Sequence, residues 1–430
     1  MVKKYIFHIG LDGTDSEFGG CTTWTMTNLI DNLIKIDKHL KLLRDPYLVR
    51  LNPNIPEKTR GNAATSISIE TSLKINELGR HIVEQIKLDQ SKYDLTEGKD
   101  PAVVIFDKIP NNELYQNSLV EYIDFNLLDE VEPIFSWPKL NQSYIGAVAA
   151  ILVDMEFDFT YELLVYRTER NWGKERDLIL KNVTKLENKI DSVFSSYDYD
   201  LKRVLMAPSG PDPVLLGIRG NNKDDLIEFY EKIKILEDVE KISIFKTNQA
   251  TDIHLMKVIG ENRNFKKYDV FSGLIQLISE PEIIRGGHVR SYGIHQDEVF
   301  EIICFEPTKK LRLHFNKLII SDLIYVTGSI DLNQAKIMKV IKLESILMVN
   351  LAEDMSIRAP LCDCGKRMKN KGLYAEYKCK KCNLSKVKPE IIYKERQFYQ
   401  GQILLPTLYA QRHLVRPYER MHIQNSDLLN

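Results

Sequence analysis

The hydrophobic pattern of the first 250 residues predicts strands that alternate with helices. Tyr5 to Leu11 is a short apolar run typical of a buried strand, and Thr22 to His39 repeats apolar residues at near-helical spacing. This alternation predicts α/β or α+β layers. Further strands are predicted at Leu48–Asn52, Ala64–Ile69, Ala102–Phe106, Tyr161–Tyr166 and Ile242–Phe245, and further helices at residues 72–92, 144–153 and 226–236.

The pattern changes after about residue 270. Between residues 285 and 349, short apolar runs lie close together with turn residues between them, which indicates a small β domain. A five-stranded barrel of the OB type over residues 271–350 fits this length and spacing, although another small β domain would give a similar pattern. The chain is therefore predicted to be an α+β protein of several domains.

Composition narrows the class of protein. The chain has 430 residues, of which 43% are hydrophobic and 28% charged, as expected of a globular protein with more than one core. It contains no apolar run of roughly 18 residues. Its start lacks the pattern of a signal peptide, so we expect no membrane span and a cytoplasmic location. The net charge of −1 excludes a protein that is basic as a whole.

Four of the six cysteines form two close pairs, Cys362 with Cys364 and Cys379 with Cys382. Four thiolates in two knuckles predict a closed structural Zn²⁺ site, although the first pair is C-x-C instead of the usual C-x₂-C. The surrounding residues 358–396 carry 12 Lys and Arg against 4 Asp and Glu, a local charge of +8. This patch predicts contact with RNA phosphates, with a solvated lysine-rich face as the alternative.

A polar turn follows the first predicted strand. Asp12 and Asp15 are spaced so that both carboxylates can reach one Mg²⁺. Gly19 and Gly20 allow close backbone approach, and the helix that begins near Thr22 offers free N–H groups to phosphate oxygens. The turn is not a Walker A loop. Its alternative interpretation is an ordinary helix cap.

Two further stretches combine basic and polar side chains. The proline-stiffened loop 51–62 carries Lys58 and Arg60, which suit phosphate binding. In residues 166–176, basic residues alternate with Tyr166 and Trp172, a combination that can hold phosphates and stack a base. An ordinary surface loop is the alternative for the first stretch, and a solvated charged loop for the second.

Two polar turns beside predicted strands carry candidate acidic groups. Asp212 and Asp252 could bind a cationic substrate or a metal, and His254 could transfer a proton. Structural turns and satisfied core residues are the alternative interpretation. The sequence alone leaves both open.

Taken together, these segments resemble one family, the archaeal 2-agmatinylcytidine synthetases that act on the isoleucine tRNA reading AUA. The resemblance extends over essentially the whole chain. It rests on Gly10-Leu-Asp-Gly-Thr-Asp-Ser16 with Cys21-Thr-Thr23, Asn52-Pro-Asn-Ile-Pro56 with Lys58-Thr-Arg-Gly-Asn62, Tyr144-Ile-Gly-Ala-Val-Ala-Ala150, Asp212-Pro-Val-Leu-Leu-Gly-Ile-Arg-Gly220, Thr247-Asn-Gln-Ala-Thr-Asp-Ile-His-Leu255, Gly287-His-Val289 and the cysteine knuckles.

The resemblance implies a domain order. It implies an atypical ATP-dependent cytidine kinase domain and a ferredoxin-like domain within residues 1–270, followed by an OB fold over residues 271–350. A zinc ribbon over residues 355–390 and a C-terminal helical segment over residues 391–430 complete the order.

The resemblance also implies an activity. Such an enzyme uses ATP and Mg²⁺ to phosphorylate the C2 oxygen of the wobble cytidine in the isoleucine tRNA with a CAU anticodon. Agmatine then displaces the phosphate, and ATP ends as AMP and phosphate. The implied catalytic residues are Asp12, Asp15 and Thr22, where Thr22 matches a threonine that becomes autophosphorylated. Nucleotide binding is assigned to Thr14, Ser16, Gly19, Gly20, Thr23, Lys58 and Arg60, and agmatine binding to Asp212 and Asp252.

The chain departs from the family pattern in the acidic cluster. The family usually has two adjacent aspartates there, whereas this chain has Asp12-Gly13, which leaves the number of metal ligands open. Two other functions stay open at this point. A non-catalytic RNA-binding protein built on the OB fold and ribbon would bind RNA without ATP turnover, and a metabolic kinase would need neither domain.

Overall fold

Among the residues that the computed structural model describes, two large sheets form the framework of the chain. Within this part of the chain, no helix is long and apolar enough to cross a lipid bilayer. The described residues are 3–16, 19–58, 61–93, 101–124, 128, 131–138, 141–176, 178–179, 182–256, 264–333, 335, 337–370, 372, 376–386 and 388–423.

Strands and helices alternate up to residue 256, as the sequence predicts. The elements are β1 (Tyr5–Asp12), β2 (Asp15–Ser16), β3 (Gly19–Gly20), α1 (Thr22–Ile36), β4 (Lys41–Leu42), β5 (Tyr47–Arg50), β6 (Ala63–Thr71), α2 (Ile75–Ser91), β7 (Ala102–Phe106), α3 (Leu114–Val120), β8 (Phe135–Trp137), α4 (Gln142–Leu152), β9 (Thr160–Arg167), β10 (Leu178–Ile179), α5 (Val183–Glu187), β11 (Val193–Phe194), β12 (Tyr197–Asp198), β13 (Arg203–Val204), β14 (Val214–Gly220), α6 (Lys223–Lys232), β15 (Lys234–Ile235), β16 (Val239–Thr247) and α7 (Ile253–Met256).

The rest of the chain is mainly β-structure. Its elements are β17 (Val270–Leu277), β18 (Glu282–Ile283), β19 (Val289–His295), β20 (Glu298–Cys304), α8 (Lys310–Phe315), β21 (Leu323–Leu332), β22 (Lys339–Asn350), β23 (Asp354–Arg358), β24 (Lys369–Asn370), β25 (Tyr377–Lys378), β26 (Ser385–Lys386), β27 (Glu390–Lys394) and β28 (Ile403–Leu404). Short 3₁₀ turns lie at Glu306–Thr308, Leu408–Ala410 and Tyr418–Ile423.

The first large sheet extends through both halves of residues 5–247. Its main strand order is β11-β14-β9-β16-β5-β6-β1-β7-β8. The two halves join where β16 pairs in parallel with β5, at Lys246 opposite Tyr47 and Thr247 opposite Leu48. The two halves of residues 5–247 therefore share one hydrogen-bonded sheet.

Alternating side chains place helices on both faces of the N-terminal half. Val103 and Ile105 of β7 belong to the core formed with α1 and α2, whereas Val104 packs in the core formed with α4. Helix α4 lies very close to β1. A Cβ on Gly10 would sit 1.9 Å from the carbonyl oxygen of Ala147, so this crossing requires glycine.

The second large sheet closes into a barrel. The strand order is β17-β21-β22-β20-β19, and β19 pairs back with β17. Helix α8 lies between β20 and β21, and Phe271, Phe300 and Ile346 are buried inside. Five strands in this order with a helix after the third form the OB-type barrel that the sequence predicts.

Residues 391–430 differ from the predicted helical segment. Up to residue 423, their described elements are the end of β27, the two-residue strand β28 and two 3₁₀ turns. Pro406 and Pro417 interrupt the backbone hydrogen bonds that an α-helix needs. We call residues 403–423 the return segment, because they leave the barrel at β28 and pack again on the first sheet through Ala250 and Asp252.

Candidate active site

The polar turn after β1 is a tight hairpin that leads into α1. Asp15 of β2 pairs with Gly20 of β3. Gly20 has a φ of +77°, and a Cβ there would lie 2.5 Å from the carbonyl oxygen of Thr14, so only glycine fits this hairpin. Helix α1 then begins at Thr22, whose Oγ1 lies 3.5 Å from Oδ1 of Asp15.

A cleft of about 600 Å³ opens beside this hairpin. The predicted residues that line it are Asp15, Thr22, Thr23 and Asp212. Arg50, Glu162, Arg219 and His413 also line it, although the sequence did not single out any of them as a site residue. The cleft lies where the two halves of the first sheet meet, because Arg50 belongs to β5, Glu162 to β9 and Arg219 to β14.

Asp12 faces a different, smaller pocket. This pocket is also lined by Gly13, Ser143 and Gly146, at the start of α4. The Asp12 carboxylate accepts a hydrogen bond from the backbone N–H of Gly13 at 2.6 Å. A Cβ at Gly146 would lie 1.9 Å from Oδ2 of Asp12. The turn therefore separates the two predicted catalytic aspartates onto neighbouring pockets.

One wall of the cleft is a charged cluster around Glu162. Glu162 contacts Arg219 Nε at 3.3 Å and Arg50 at 3.9 Å, and it accepts a hydrogen bond from Gln249 Nε2 at 2.5 Å. Burial lowers the pKa of Arg50, yet a guanidinium stays charged at neutral pH. We call Arg50 and Arg219 the cationic wall.

Asp212 also lines the cleft, close to Cys21. Its carboxylate accepts a hydrogen bond from the backbone N–H of Val214 at 3.1 Å and lies 3.4 Å from Arg176. Burial, and next the charge of Asp212, raise the pKa of Cys21 to about 11. Cys21 is therefore a neutral thiol at the N-terminal end of α1.

The structure does not bring Asp252 or His254 to the cleft. The Asp252 carboxylate accepts a hydrogen bond from the backbone N–H of Arg416 at 2.8 Å, in the return segment. His254 is 2% exposed, and burial lowers its pKa to about 3. Both residues face the interior beside the return segment, so neither reaches the lining of the cleft.

Gly61, near the end of the loop 51–62, borders the cleft. Lys58 donates a hydrogen bond to the carbonyl of Pro53 and lines a neighbouring cavity together with Arg412 and His413. Arg60 lies outside the described residues, as does the side chain of Ser16. Thr14 is 3% exposed, and its Oγ1 is buried without a hydrogen-bond partner among the described residues.

The aromatic side chains and Arg167 of residues 166–176 are engaged inside the protein, whereas Arg170 and Lys174 are exposed. The Trp172 ring stacks on Tyr93 with centroids 4.7 Å apart, and it meets the edge of Trp24 at 4.9 Å. Arg167 is 1% exposed and forms an ion pair with Glu237 at 2.5 Å. Trp172 and Arg167 are thus packed internally, whereas the exposed Arg170 and Lys174 fit the alternative of a solvated charged loop.

The four clustered cysteines form a separate site in the ribbon. Their sulfur atoms all lie within 4.8 Å of one another, and those of Cys364 and Cys379 are 3.7 Å apart. A tetrahedral Zn²⁺ with Zn–S bonds of about 2.3 Å places its sulfur ligands about 3.8 Å apart. The cysteine geometry therefore fits zinc despite the short C-x-C knuckle.

Comparison with known proteins identifies the family. Three family models match in order: the TiaS TCKD domain over residues 8–80, the TiaS FLD domain over residues 141–254 and the TiaS C-terminal zinc ribbon domain over residues 359–398. The isoleucine-tRNA 2-agmatinylcytidine synthetase TiaS of Pyrococcus horikoshii is 33% identical over 424 residues, which cover 96% of each chain. The chain belongs to the TiaS family.

Further TiaS proteins are similar over the same length. The synthetase of Methanocaldococcus jannaschii is 34% identical over 436 residues, covering 96% of this chain and 98% of that protein. A crystal structure of TiaS in complex with its isoleucine tRNA and ATP has a TM-score of 0.84 at 29% identity and covers 97% of this chain and 98% of that one. A TiaS complex with the same tRNA, AMPCPP and agmatine has a TM-score of 0.83 at 27% identity and covers 98% of each chain.

The TiaS matches agree with the order of the structural units. The TCKD match includes β1, the hairpin and α1, and the FLD match includes the strands that carry Glu162 and Arg219. The zinc ribbon match contains all four clustered cysteines. The cleft thus lies between the TCKD and FLD regions of a TiaS-family chain. His413 lies outside all three matched ranges.

Proposed function

We propose that the protein is an ATP-dependent synthetase that joins agmatine to C2 of the wobble cytidine in the isoleucine tRNA with a CAU anticodon, in the cytoplasm. The observation that carries this function is the shared cleft. It contains a hydroxyl at a helix start, Thr22, beside the carboxylate of Asp15, with two guanidinium groups lining the same cavity. The named relatives, isoleucine-tRNA 2-agmatinylcytidine synthetases, support the same function.

The reaction needs activation because the C2 oxygen of cytosine is a very poor leaving group. ATP gives up two phosphoryl groups and ends as AMP. One goes to this oxygen and gives a phosphorylated cytidine, and the other goes to the hydroxyl of Thr22, from which water releases it as phosphate. The primary amine of agmatine then attacks C2, and the C–O bond to the departing phosphate breaks. The protein's contribution is to position the reactants and to neutralise phosphate charge. The product restores decoding of AUA.

The triphosphate is assigned to the hairpin side of the cleft. Free N–H groups at the start of α1 and the backbone of Gly19 and Gly20 suit phosphate oxygens. The buried Oγ1 of Thr14 is available as a further donor. The proposed nucleotide-binding set remains Thr14, Ser16, Gly19, Gly20, Thr23, Lys58 and Arg60, and the cationic wall adds Arg50 and Arg219. Thr22 is the proposed site of autophosphorylation.

Mg²⁺ is assigned to the same hairpin. Oxygen ligands from one or two carboxylates, completed by phosphate and water, are typical of Mg²⁺ sites. Asp15 lines the cleft and fits this chemistry directly, whereas Asp12, the second proposed ligand, lines the neighbouring pocket. When bound, the ion would neutralise charge on the transferring phosphate.

Agmatine carries two positive charges, so it needs carboxylate partners. Asp212 is the proposed partner, because it lines the cleft near Cys21. Glu162 is a second carboxylate in the same cavity, although it already contacts Arg50 and Arg219. Asp252, the other carboxylate that the sequence offered for a cationic substrate, accepts a hydrogen bond from the backbone N–H of Arg416 instead.

The tRNA is assigned to the barrel and ribbon. OB barrels bind single-stranded nucleic acid, and the stretch around the cysteines carries a charge of +8 from 12 Lys and Arg against 4 Asp and Glu. Zinc held by the four cysteines would fix the two knuckles that display this charge. The wobble base must leave its stack to enter the cleft.

The test is incubation of the full chain with ATP, Mg²⁺, agmatine and a transcript of the isoleucine tRNA with a CAU anticodon. We expect a mass gain on the anticodon cytidine, detected by mass spectrometry of nuclease fragments. The variant Asp15→Asn keeps the shape of the turn and should bind tRNA without modifying it. A non-catalytic RNA-binding protein would instead bind tRNA with no mass gain in the wild type, and this result would reject the proposal.

A further inference from the structure

The return segment is attached to the first sheet at a strained turn. Ala250 and Asp252 have φ values of +58° and +57°, which side-chain-bearing residues rarely adopt. Their backbone N–H groups donate to the carbonyls of His413 at 2.8 Å and Leu414 at 2.9 Å. Such backbone strain persists only where surrounding contacts require it. The turn is therefore shaped to receive the return segment.

The same turn positions other parts of the cleft. The Asn248 side chain accepts a hydrogen bond from the backbone N–H of Arg50 at 2.8 Å and donates to its carbonyl at 2.8 Å. Gln249 donates to Glu162 at 2.5 Å. One short motif, residues 247–252, thus holds Arg50, Glu162 and the backbone of His413 in fixed positions relative to one another.

Two buried arginines fix the return segment further along. Arg416 and Arg420 are each 2% exposed, and both form ion pairs with Asp158. Arg420 Nε also donates to Asn221 Oδ1 at 2.8 Å. A buried guanidinium without its partners is costly, so these contacts allow the segment only one position. His413, three residues before Arg416, is held at a defined place.

The His413 ring closes one side of the cleft. Its Nδ1 lies 3.1 Å from the terminal nitrogen of Arg219. A guanidinium can only donate hydrogen bonds, so Nδ1 must accept and the ring must be neutral. A Cβ on Gly61 would lie 2.5 Å from Arg50 and 3.0 Å from the His413 ring, so the absence of a side chain there leaves room for both groups.

We infer that the return segment completes the active cleft from the same chain, and that His413 is a positioning residue that orients Arg219, and with it the cationic wall, for the triphosphate. The charge of Arg50, burial and the charge of Arg219 all lower the pKa of His413, which keeps its acceptor free at neutral pH. This inference rests on the proposed ATP site. The inference gives residues 403–423 a role in nucleotide binding in addition to connecting the barrel to the first sheet.

The experiment compares two substitutions of His413 in the full zinc-loaded chain. His413→Asn keeps an acceptor oxygen near the place of Nδ1, whereas His413→Leu removes the acceptor but fills the space. Direct binding of ATP with Mg²⁺ is measured by calorimetry, and the thermal midpoint reports folding. Loss of a hydrogen bond to a charged group should weaken ATP binding about tenfold or more in His413→Leu, with most of the affinity retained in His413→Asn.

Tyr418→Phe is the matched control. It removes a hydroxyl of the same segment that donates to Ile403 and accepts from Leu405, away from the cleft, and should leave ATP affinity unchanged. Wild-type affinity in His413→Leu, or equal weakening in both His413 variants, would overturn the inference. If the wild type binds ATP but never modifies tRNA, the proposed function fails while the binding comparison still decides the role of His413. If the wild type does not bind ATP, both are rejected.

Discussion

The side chain of Thr22 is almost completely buried although it faces the cleft. It is 5% exposed, yet it lines the cleft at the start of α1 and lies 3.5 Å from Asp15. We predict that Thr22→Ala lowers tRNA modification roughly 1000-fold or more, as expected for loss of a group that takes part in the chemistry. Its thermal midpoint should change little, because a single weak hydrogen bond contributes about 1 kcal/mol or less.

Thr27→Ala is the matched control for this measurement. Thr27 is buried on the same helix and donates to the carbonyl of Thr23 at 2.9 Å, but it does not line the cleft. It should reduce stability without reducing modification per folded molecule. Full activity in Thr22→Ala would show that the reacting group lies elsewhere.

The buried His254 makes the stability of the folded protein decrease as the pH falls. Its pKa is about 3 in the folded protein, lowered by burial and by Arg412, against 6.5 for the ordinary group. The unfolded chain therefore takes up a proton as the pH falls below 6.5, while the folded chain does not. One proton corresponds to about 1.4 kcal/mol per pH unit, so about 2 kcal/mol of stability should be lost by pH 5.

We predict that His254→Asn shows a smaller decrease in stability between pH 7 and pH 5 than the wild type. Urea unfolding at each pH, followed by circular dichroism, provides the measurement. Loss of zinc at low pH affects both proteins equally. Parallel pH profiles would mean that His254 takes up its proton equally in the folded and the unfolded chain, and would contradict the prediction.

At the scale of elements, the Trp172 stack joins three separate segments. Its ring packs against Tyr93, at the end of α2, and Trp24 in α1, and its Nε1 donates to the carbonyl of Arg167 at 3.1 Å. We predict that Trp172→Ala lowers the free energy of unfolding by about 3 kcal/mol, because it removes a large packed ring. Filter binding, at a temperature below the lowered thermal midpoint of the variant, measures its affinity for tRNA. This affinity should stay within a few-fold of that of the wild type.

Trp172→Phe should recover part of the lost stability, since an aromatic ring still stacks on Tyr93. The opposite result, unchanged stability with lost tRNA binding, would restore the base-stacking interpretation of residues 166–176.

Local periodicity was sufficient to predict most elements. The strand Ala102–Phe106 matches its prediction residue for residue, and α4 and β9 differ by one or two residues at their ends. The predicted helix after Thr22 extended to His39, but the chain leaves the helix at Asp37, which caps the end of β6 through Thr71 and Ser72. The end of this helix therefore depends on contacts of Asp37 with Thr71 and Ser72, which are distant in sequence.

Long-range contacts were not predictable in the same way. The parallel pairing of β16 with β5 depends on two segments about two hundred residues apart, and neither carries a signal for its partner. Glu162 lies on an ordinary alternating strand, so nothing local marks it as a cleft residue. Arg219 lies in the segment Asp212 to Gly220 that carries the family resemblance, but its side chain was not predicted to line the site. The polar residues of the turn 247–254 did mark it as a candidate binding site in the sequence. The sequence suggested that this turn binds a substrate, but in the structure it binds the return segment.

At the scale of the whole molecule, the zinc ribbon and the cleft are separate sites that share no lining residue. Cys379 is fully buried among the four thiols, whereas the cleft is lined by residues of the first sheet, its loops and the return segment. We predict that Cys379→Ser releases zinc and weakens tRNA binding at least about tenfold, because a structural zinc holds the knuckles together. ATP affinity should remain near that of the wild type.

Zinc content by atomic absorption, together with separate tRNA and ATP titrations, distinguishes these effects. Cys304→Ser is the control, since Cys304 is buried in the barrel and contacts Thr308 at 3.3 Å, away from the knuckles. Unchanged tRNA affinity in zinc-free protein would remove the ribbon from the RNA interface.

His413 follows the other cleft residues along the chain, so it is synthesised after them. A ribosome synthesises the hairpin, the cationic wall and the strained turn long before it reaches the return segment. Until then, Ala250 and Asp252 lack the carbonyls that accept their N–H groups, and the cleft lacks one side. We therefore expect a nascent chain that has already folded its first sheet to bind ATP fully only after translation has passed the ribbon.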